Sequence, residues 1–172
     1  MLKKPLHIII DGADGTGKST ICQLLSRKFD IPIIKMPVPQ EKVRTEEIEP
    51  LSEMFNKTLV QFHESSFILD RGYTSSLVYS KIFDRKYNLN YIENIEKILK
   101  PMVFIITVWD DGHKTLRDDD IYNPEEITKV DLEFLKLAEE RGYEVVNVNG
   151  KSITEVCNEI IKTVENTSSE LA

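Results

Sequence analysis

Apolar residues gather in short runs at 6–10, 32–35, 66–69, 103–108 and 144–148, and runs of that length predict buried strands. Between them the apolar positions recur at helical spacing. Ile21, Leu24, Leu25 and Phe29 share one face, and Leu51, Met54, Phe55, Leu59 and Phe62 form a stripe after Pro50. Ile127, Val130, Phe134 and Ala138 mark a further helix, stopped by Gly142. Ile153, Val156, Cys157, Ile160, Ile161 and Val164 follow the 3.6-residue period and are expected in the core. Alternating strands and helices predict an α/β fold: a five-stranded parallel sheet with helices on both faces. No Gly/Ser/Pro-rich linker interrupts residues 1–172, which read as one domain, and the polar tail at 165–172 is expected to fray.

One segment gives the pattern a chemical meaning. Directly after the first strand, Gly12-Ala13-Asp14-Gly15-Thr16-Gly17-Lys18-Ser19 fills every fixed position of the GxxxxGK[ST] phosphate-binding loop. Glycines let such a loop curl until its backbone N–H groups point inward at phosphate oxygens. Lys18 then reaches the β/γ-phosphates and the Ser19 hydroxyl suits magnesium. The helix that follows adds the positive end of its dipole. The motif predicts a P-loop NTPase fold, with Asp14, Gly15, Thr16, Gly17, Lys18, Ser19 and Thr20 binding ATP.

Composition removes other classes. A hydrophobic content of 41% with 30% charged residues is ordinary for a soluble chain, and no run is long enough to cross a bilayer. The basic start Met1-Leu2-Lys3-Lys4-Pro5 leads into a strand rather than a signal peptide, so a cytoplasmic protein without a membrane partner is expected. A net charge of −7 argues against nucleic-acid binding. Cys22 and Cys157 lie among core-facing residues without metal-ligand spacing and read as buried free thiols. His7, His63 and His113 make no metal motif.

Ligands of such sheets collect beyond the carboxyl ends of the strands. There the sequence offers Asp11, Lys35-Met36-Pro37 and Asp70-Arg71, and after the fourth strand Lys114 and Arg117, one helical turn apart. Asp70 closes an apolar run, where a carboxylate is presented to magnesium beside Ser19. Arg71 can clamp a second anionic group, since a planar guanidinium pairs bidentately with phosphate. Phosphoryl transfer asks for in-line placement and neutralised charge, which Lys18, Mg2+, Arg71 and Arg117 can supply. A phosphate acceptor needs no general base, whereas a hydroxyl acceptor ordinarily wants a carboxylate. Lys35 at the second strand's end favours the phosphate, while Glu41 nearby keeps the other choice open.

These residues resemble the thymidylate kinases, P-loop kinases that make deoxythymidine diphosphate from the monophosphate and ATP. Asp11-Gly12-Ala13-Asp14-Gly15-Thr16-Gly17-Lys18-Ser19-Thr20 is similar to the family's acidic-Gly-x-Asp-Gly-x-Gly-Lys-[Ser/Thr]-Thr loop. Asp70-Arg71-Gly72-Tyr73-Thr74-Ser75-Ser76-Leu77-Val78-Tyr79 resembles its Asp-Arg-aromatic-x-x-Ser-[Ser/Asn]-x-x-Tyr segment. The resemblance implies that Asp14 contacts the acceptor's sugar hydroxyl, Asp70 serves magnesium and Arg71 takes the acceptor phosphate. Ser76 and Tyr79 then line the nucleoside end. Pro37 resembles the family's x-Pro turn, and Phe55 an aromatic that stacks on the base, with a core role equally open to it. Known relatives are commonly homodimers, which the resemblance carries over as an expectation.

The chain also departs from that pattern. Gly72 stands in place of an aromatic, which is expected to widen that wall of the acceptor pocket. The lid, at about 110–123, is short. Relatives without an arginine in the phosphate loop use a lid arginine, and with Gly15 in the loop the resemblance gives that part to Arg117. Asp118-Asp119-Asp120 behind it read as a solvated turn. The acceptor is expected to be a pyrimidine deoxynucleoside monophosphate, dTMP or a 5-modified dUMP. A deoxynucleoside kinase acting on the 5′-hydroxyl is the nearest rival, although it would show Glu-Pro after the second strand and Glu-Arg-Ser after the third. A regulatory nucleotide-binding switch is more remote, because Asn56-Lys57-Thr58-Leu59 does not complete Asn-Lys-x-Asp.

Overall fold

Ile8, Ile9 and Ile10 are all fully buried, which requires a strand covered on both faces. The computed structural model describes residues 4–36, 45–84, 89–108 and 123–170. In it these isoleucines lie on β1 (His7–Asp11), the centre of a five-stranded sheet of order β2-β3-β1-β4-β5. The other strands are β2 (Ile33–Lys35), β3 (Phe67–Asp70), β4 (Met102–Thr107) and β5 (Glu144–Asn147). Every pairing is parallel, as the alternation of strands and helices predicts, and every strand lies within one residue of its expected bounds.

Side-chain alternation along the strands builds two cores. Ile9, Phe67, Leu69, Val103 and Ile105 face α2 (Thr45–Val60), α3 (Tyr73–Ile82), α4 (Leu89–Leu99) and α5 (Pro124–Arg141). Ile8, Ile10, Ile68, Phe104 and Ile106 face α1 (Lys18–Phe29) and α6 (Ile153–Glu170). Each fully buried isoleucine contributes about 1.5–3 kcal/mol relative to exposure. His7 closes the lower end of β1, its ring nitrogens 2.8 and 3.0 Å from the carbonyl oxygens of Leu99 and Ser65. It is a structural tie, not a ligand.

Three expectations change. The second helix begins at Thr45, ahead of Pro50, which removes one main-chain donor without ending the helix. Its buried face carries Ser52, Asn56 and Leu59, with Phe55 half-buried, whereas Met54 is 61% exposed and Phe62, beyond the helix end, is 49% exposed. The helical period therefore turns small polar residues inward, Ser52 against Ser76 of α3, and Met54 outward. On α6, Val156, Cys157, Ile160 and Val164 are buried and Ile161 is partly so. Ile153, the first residue of the helix, is 38% exposed. The helix also continues to Glu170 through the stretch expected to fray, with Thr163 and Thr167 hydroxyls donating to carbonyls one turn back.

Cys22 and Cys157 are free thiols, 0% and 4% exposed, and burial pushes both above the usual thiol range. Native protein mixed with a thiol-exchange chromophore should release almost no signal at pH 8, and denaturant should release two equivalents. Rapid labelling of either cysteine in the native state would contradict this packing.

Candidate active site

The carboxyl ends of β1, β3 and β2 meet side by side, in the register Ile10↔Asp70 and Lys35↔Asp70. The phosphate loop leaves β1 through Gly12 at a φ of 135°. A Cβ there would collide with the Ile106 carbonyl oxygen of β4, so only glycine allows the loop to start this close to the sheet. Ala13 and Thr16 are buried beneath it, and the Thr16 hydroxyl donates to the Ala13 carbonyl at 3.0 Å. Lys18 Nζ donates to the same carbonyl at 2.5 Å. Burial holds the Lys18 ammonium below the usual lysine range, with the Asp11 and Asp70 carboxylates acting the other way. Gly17 precedes the first turn of α1 without a capping side chain, leaving that end to main-chain donors.

Asp70, at the end of β3, is buried, and its Oδ2 accepts from the Ser19 hydroxyl at 2.7 Å. Two hard oxygen donors from distant parts of the chain thus stand side by side, a donor set of the chemistry that suits magnesium. Lys35 Nζ lies 3.9 Å from the same oxygen and is otherwise exposed. Arg71 follows in the left-handed region at φ 68°, uncommon for a side chain with a Cβ, and its N–H donates to the Ile10 carbonyl at 3.1 Å. Its guanidinium turns toward the phosphate loop and pairs with Asp14, both side chains mostly buried. The two residues expected to serve the acceptor therefore touch one another.

Behind this turn, α3 begins at Tyr73 with Gly72 as its N-cap, a residue with no side chain to cap it. Asp11 takes that part from β1. A Cβ on Gly72 would stand 2.8 Å from Ile9 Cγ2 and 3.7 Å from Leu69 Cδ1. A side chain at 72 would thus enter the core, so the expected widening of the acceptor pocket does not follow from this glycine.

Farther along α3, the Ser76 hydroxyl lies 2.8 Å from that of Ser52 on α2. Tyr79 is 9% exposed and packs edge-on against Phe134. Phe55 packs partly buried against the same core. Pro37 and Arg117 lie outside the described residues, as do Glu41, Lys114 and Asp118-Asp119-Asp120. Sequence reasoning missed Ser52 and the buried pair Thr107 and Asp131 at the end of β4, whose side chains bond at 2.9 Å. It noted Asp11 as a strand end but assigned it nothing. The signal was a helix opening on glycine, which needs its cap from elsewhere.

A model of the AAA-domain family matches residues 7–155. The chain belongs to that family. The matched span of this AAA-domain protein runs from the first residue of β1 into α6. It is also similar to the probable thymidylate kinase of Methanocaldococcus jannaschii, 28% identical over 94% of this chain and 96% of the relative. Among solved structures, the YorR protein of Bacillus subtilis, in complex with phosphorylated GDP, is 24% identical with a TM-score of 0.73, over 92% of this chain and 95% of that one. The thymidylate kinase of Candida albicans is 22% identical with a TM-score of 0.72, over 95% and 92% of the two chains. The structural matches share the P-loop kinase fold, and together with the sequence match they indicate a nucleotide kinase, a phosphotransferase whose homologues imply ATP as co-substrate.

Gly12→Ala combines a forbidden φ with a collision against backbone, so it should destabilise the fold by about 2 kcal/mol or more. Chemical denaturation of the purified variant measures this, and an unchanged midpoint would contradict the geometry at the loop's start.

Proposed function

We propose that this kinase transfers the γ-phosphoryl group of ATP to a pyrimidine deoxynucleoside monophosphate, thymidylate above all, giving the diphosphate. The observation that carries this reading is the pairing of Arg71 with Asp14, which brings a cation from the end of β3 onto the phosphate loop itself. The guanidinium is positioned to receive an acceptor phosphate, and exchange of partners frees Asp14 for the sugar hydroxyl. Lys18 and the loop's N–H groups hold the β/γ-phosphates of the donor. Ser19 and Asp70 would hold Mg2+, which when bound would neutralise charge on the donor phosphates.

No carboxylate closes β2, where a nucleoside acceptor would call for a base; Lys35 stands there. An acceptor oxygen that already carries charge needs only placement and exclusion of water. Lys35 beside Asp70 adds to the positive side of the balance. The fold-level likeness and the probable thymidylate kinase among its relatives support the choice of acceptor. A 5-modified dUMP draws no support from Gly72, whose missing side chain faces Ile9.

Incubation with ATP and magnesium against a panel of thymidylate, 5-hydroxymethyl-dUMP, other deoxynucleoside monophosphates and free thymidine tests the proposal. Thymidylate is expected to show the highest kcat/KM, and phosphorylation of thymidine alone would overturn it. Lys18→Ala should lower kcat/KM by roughly a thousandfold. Arg71→Ala should raise the acceptor KM roughly 10- to 100-fold, the loss of a charge-assisted contact of about 1.5–3 kcal/mol. Acceptor kinetics unchanged in Arg71→Ala would remove the proposed contact.

A further inference from the structure

The side chain of Asp11 is the most heavily bonded group at the site, and the reaction as described makes no use of it. It is fully buried at the end of β1. Oδ1 accepts from the Gly12 N–H at 2.9 Å and from the Ser75 hydroxyl at 2.7 Å. Oδ2 accepts from the Gly72 N–H at 3.1 Å, the Ser75 N–H at 2.9 Å and the Thr74 hydroxyl. A carboxylate has about four lone-pair positions. Five donors fill them, leaving none to bind a metal ion or take a proton from substrate.

The donors come from two places. Gly12 is the first residue of the phosphate loop. Gly72, Thr74 and Ser75 are the N-cap and the second and third residues of α3, which has no capping side chain of its own, although the Ser75 N–H also donates to the Gly72 carbonyl at 3.1 Å. Arg71 sits between these anchors: one residue before Gly72, at positive φ, with its own N–H on the Ile10 carbonyl next to Asp11. So close an approach of α3 to β1 is possible only because residue 72 has no Cβ to meet Ile9. Glycine at 72 and the acid at 11 are two parts of one joint.

We propose that Asp11 is a positioning residue: capping α3 from β1, it fixes the distance between the phosphate loop and Arg71, and so between donor and acceptor phosphates. This inference rests on the acceptor reading given above and adds to it the group that sets the acceptor's place. Asparagine at 11 keeps the shape but turns an NH2 toward N–H donors, so at least one is left without an acceptor. Loss of the joint loosens Arg71, while the loop's remaining contacts, Thr16 with Ala13 and the first turn of α1, do not involve Asp11.

The test compares Asp11→Asn, Thr74→Val and Ser75→Ala with wild type, each normalised to its folded fraction. Thr74→Val and Ser75→Ala should raise the thymidylate KM severalfold, with the ATP KM within about twofold of wild type. Asp11→Asn, which also removes a charge near Lys18 and an acceptor of the Gly12 N–H, should raise the thymidylate KM at least tenfold and by more than the ATP KM. Amide hydrogen exchange, read with no nucleotide present, should quicken at Gly72 in Asp11→Asn, and less at Ser75, whose N–H also donates to the Gly72 carbonyl. Should that variant fail to fold, Thr74→Val and Ser75→Ala carry the kinetic comparison, and exchange at Gly72 and Ser75 is read in them. Equal changes in both KM values, or unaltered exchange at those two amides, would reduce Asp11 to a stability role and overturn the proposal. A wild-type protein that phosphorylated no nucleoside monophosphate would defeat the acceptor reading alone, since the exchange measurement judges the joint whatever the enzyme accepts.

Discussion

The carboxylate of Asp11 joins the two halves of the site. β1 lies between β3 and β4 at the centre of the sheet, and the side chain of its last residue accepts five hydrogen bonds, one from the phosphate loop and four from the start of α3. A buried carboxylate is tolerable only when its lone pairs are filled, and here main-chain N–H groups and hydroxyls fill them without a counter-charge in contact. The geometry that stabilises the acid also fixes the turn at Arg71. Stability of the fold and placement of the chemistry are served by the same bonds, so the site cannot loosen without cost to the core behind it.

Around that joint the cations are held by protein oxygens. Lys18 donates to the Ala13 carbonyl, Arg71 pairs with Asp14, and Lys35 stands near Asp70. A chain of net charge −7 thus gathers positive groups at three strand and loop ends, where the proposed function would place polyanionic ligands. In the proposed function, phosphate binding at these groups would be an exchange of partners. The gain from each exchange is modest, and selectivity comes from having the partners in the right places. Asp14 is the clearest case in the proposed reading, since it would leave a guanidinium and become available to a hydroxyl.

Much of this was legible in the sequence because the strong signals are local. Three isoleucines before a glycine loop announce a central strand, and GxxxxGKS announces its ligand. The expected strands lie close to the observed ones for that reason. Helix faces were harder. Met54 and Phe62 look like core and are exposed, while Ser52 and Asn56 look like surface and are buried, because neighbouring helices choose the face, as Ser76 of α3 does for Ser52. Gly72 was misread for a related reason: its missing side chain points at Ile9, a direction set by a strand more than sixty positions away. Asp11 reads as one polar residue at a strand end until the donors of α3 are seen around it. Pairings such as Asp14 with Arg71 are likewise three-dimensional facts, for which sequence can supply the partners but not the contact.

The central claim is that two phosphate-bearing ligands are held together across this joint. It is tested most directly by titrating the protein with a bisubstrate compound in which adenosine and thymidine are bridged by five phosphates. Simultaneous use of both grips requires that it bind at least a hundredfold more tightly than ATP, with that advantage largely lost in Arg71→Ala. Affinity no better than that of ATP, or an advantage untouched by Arg71→Ala, would contradict the account.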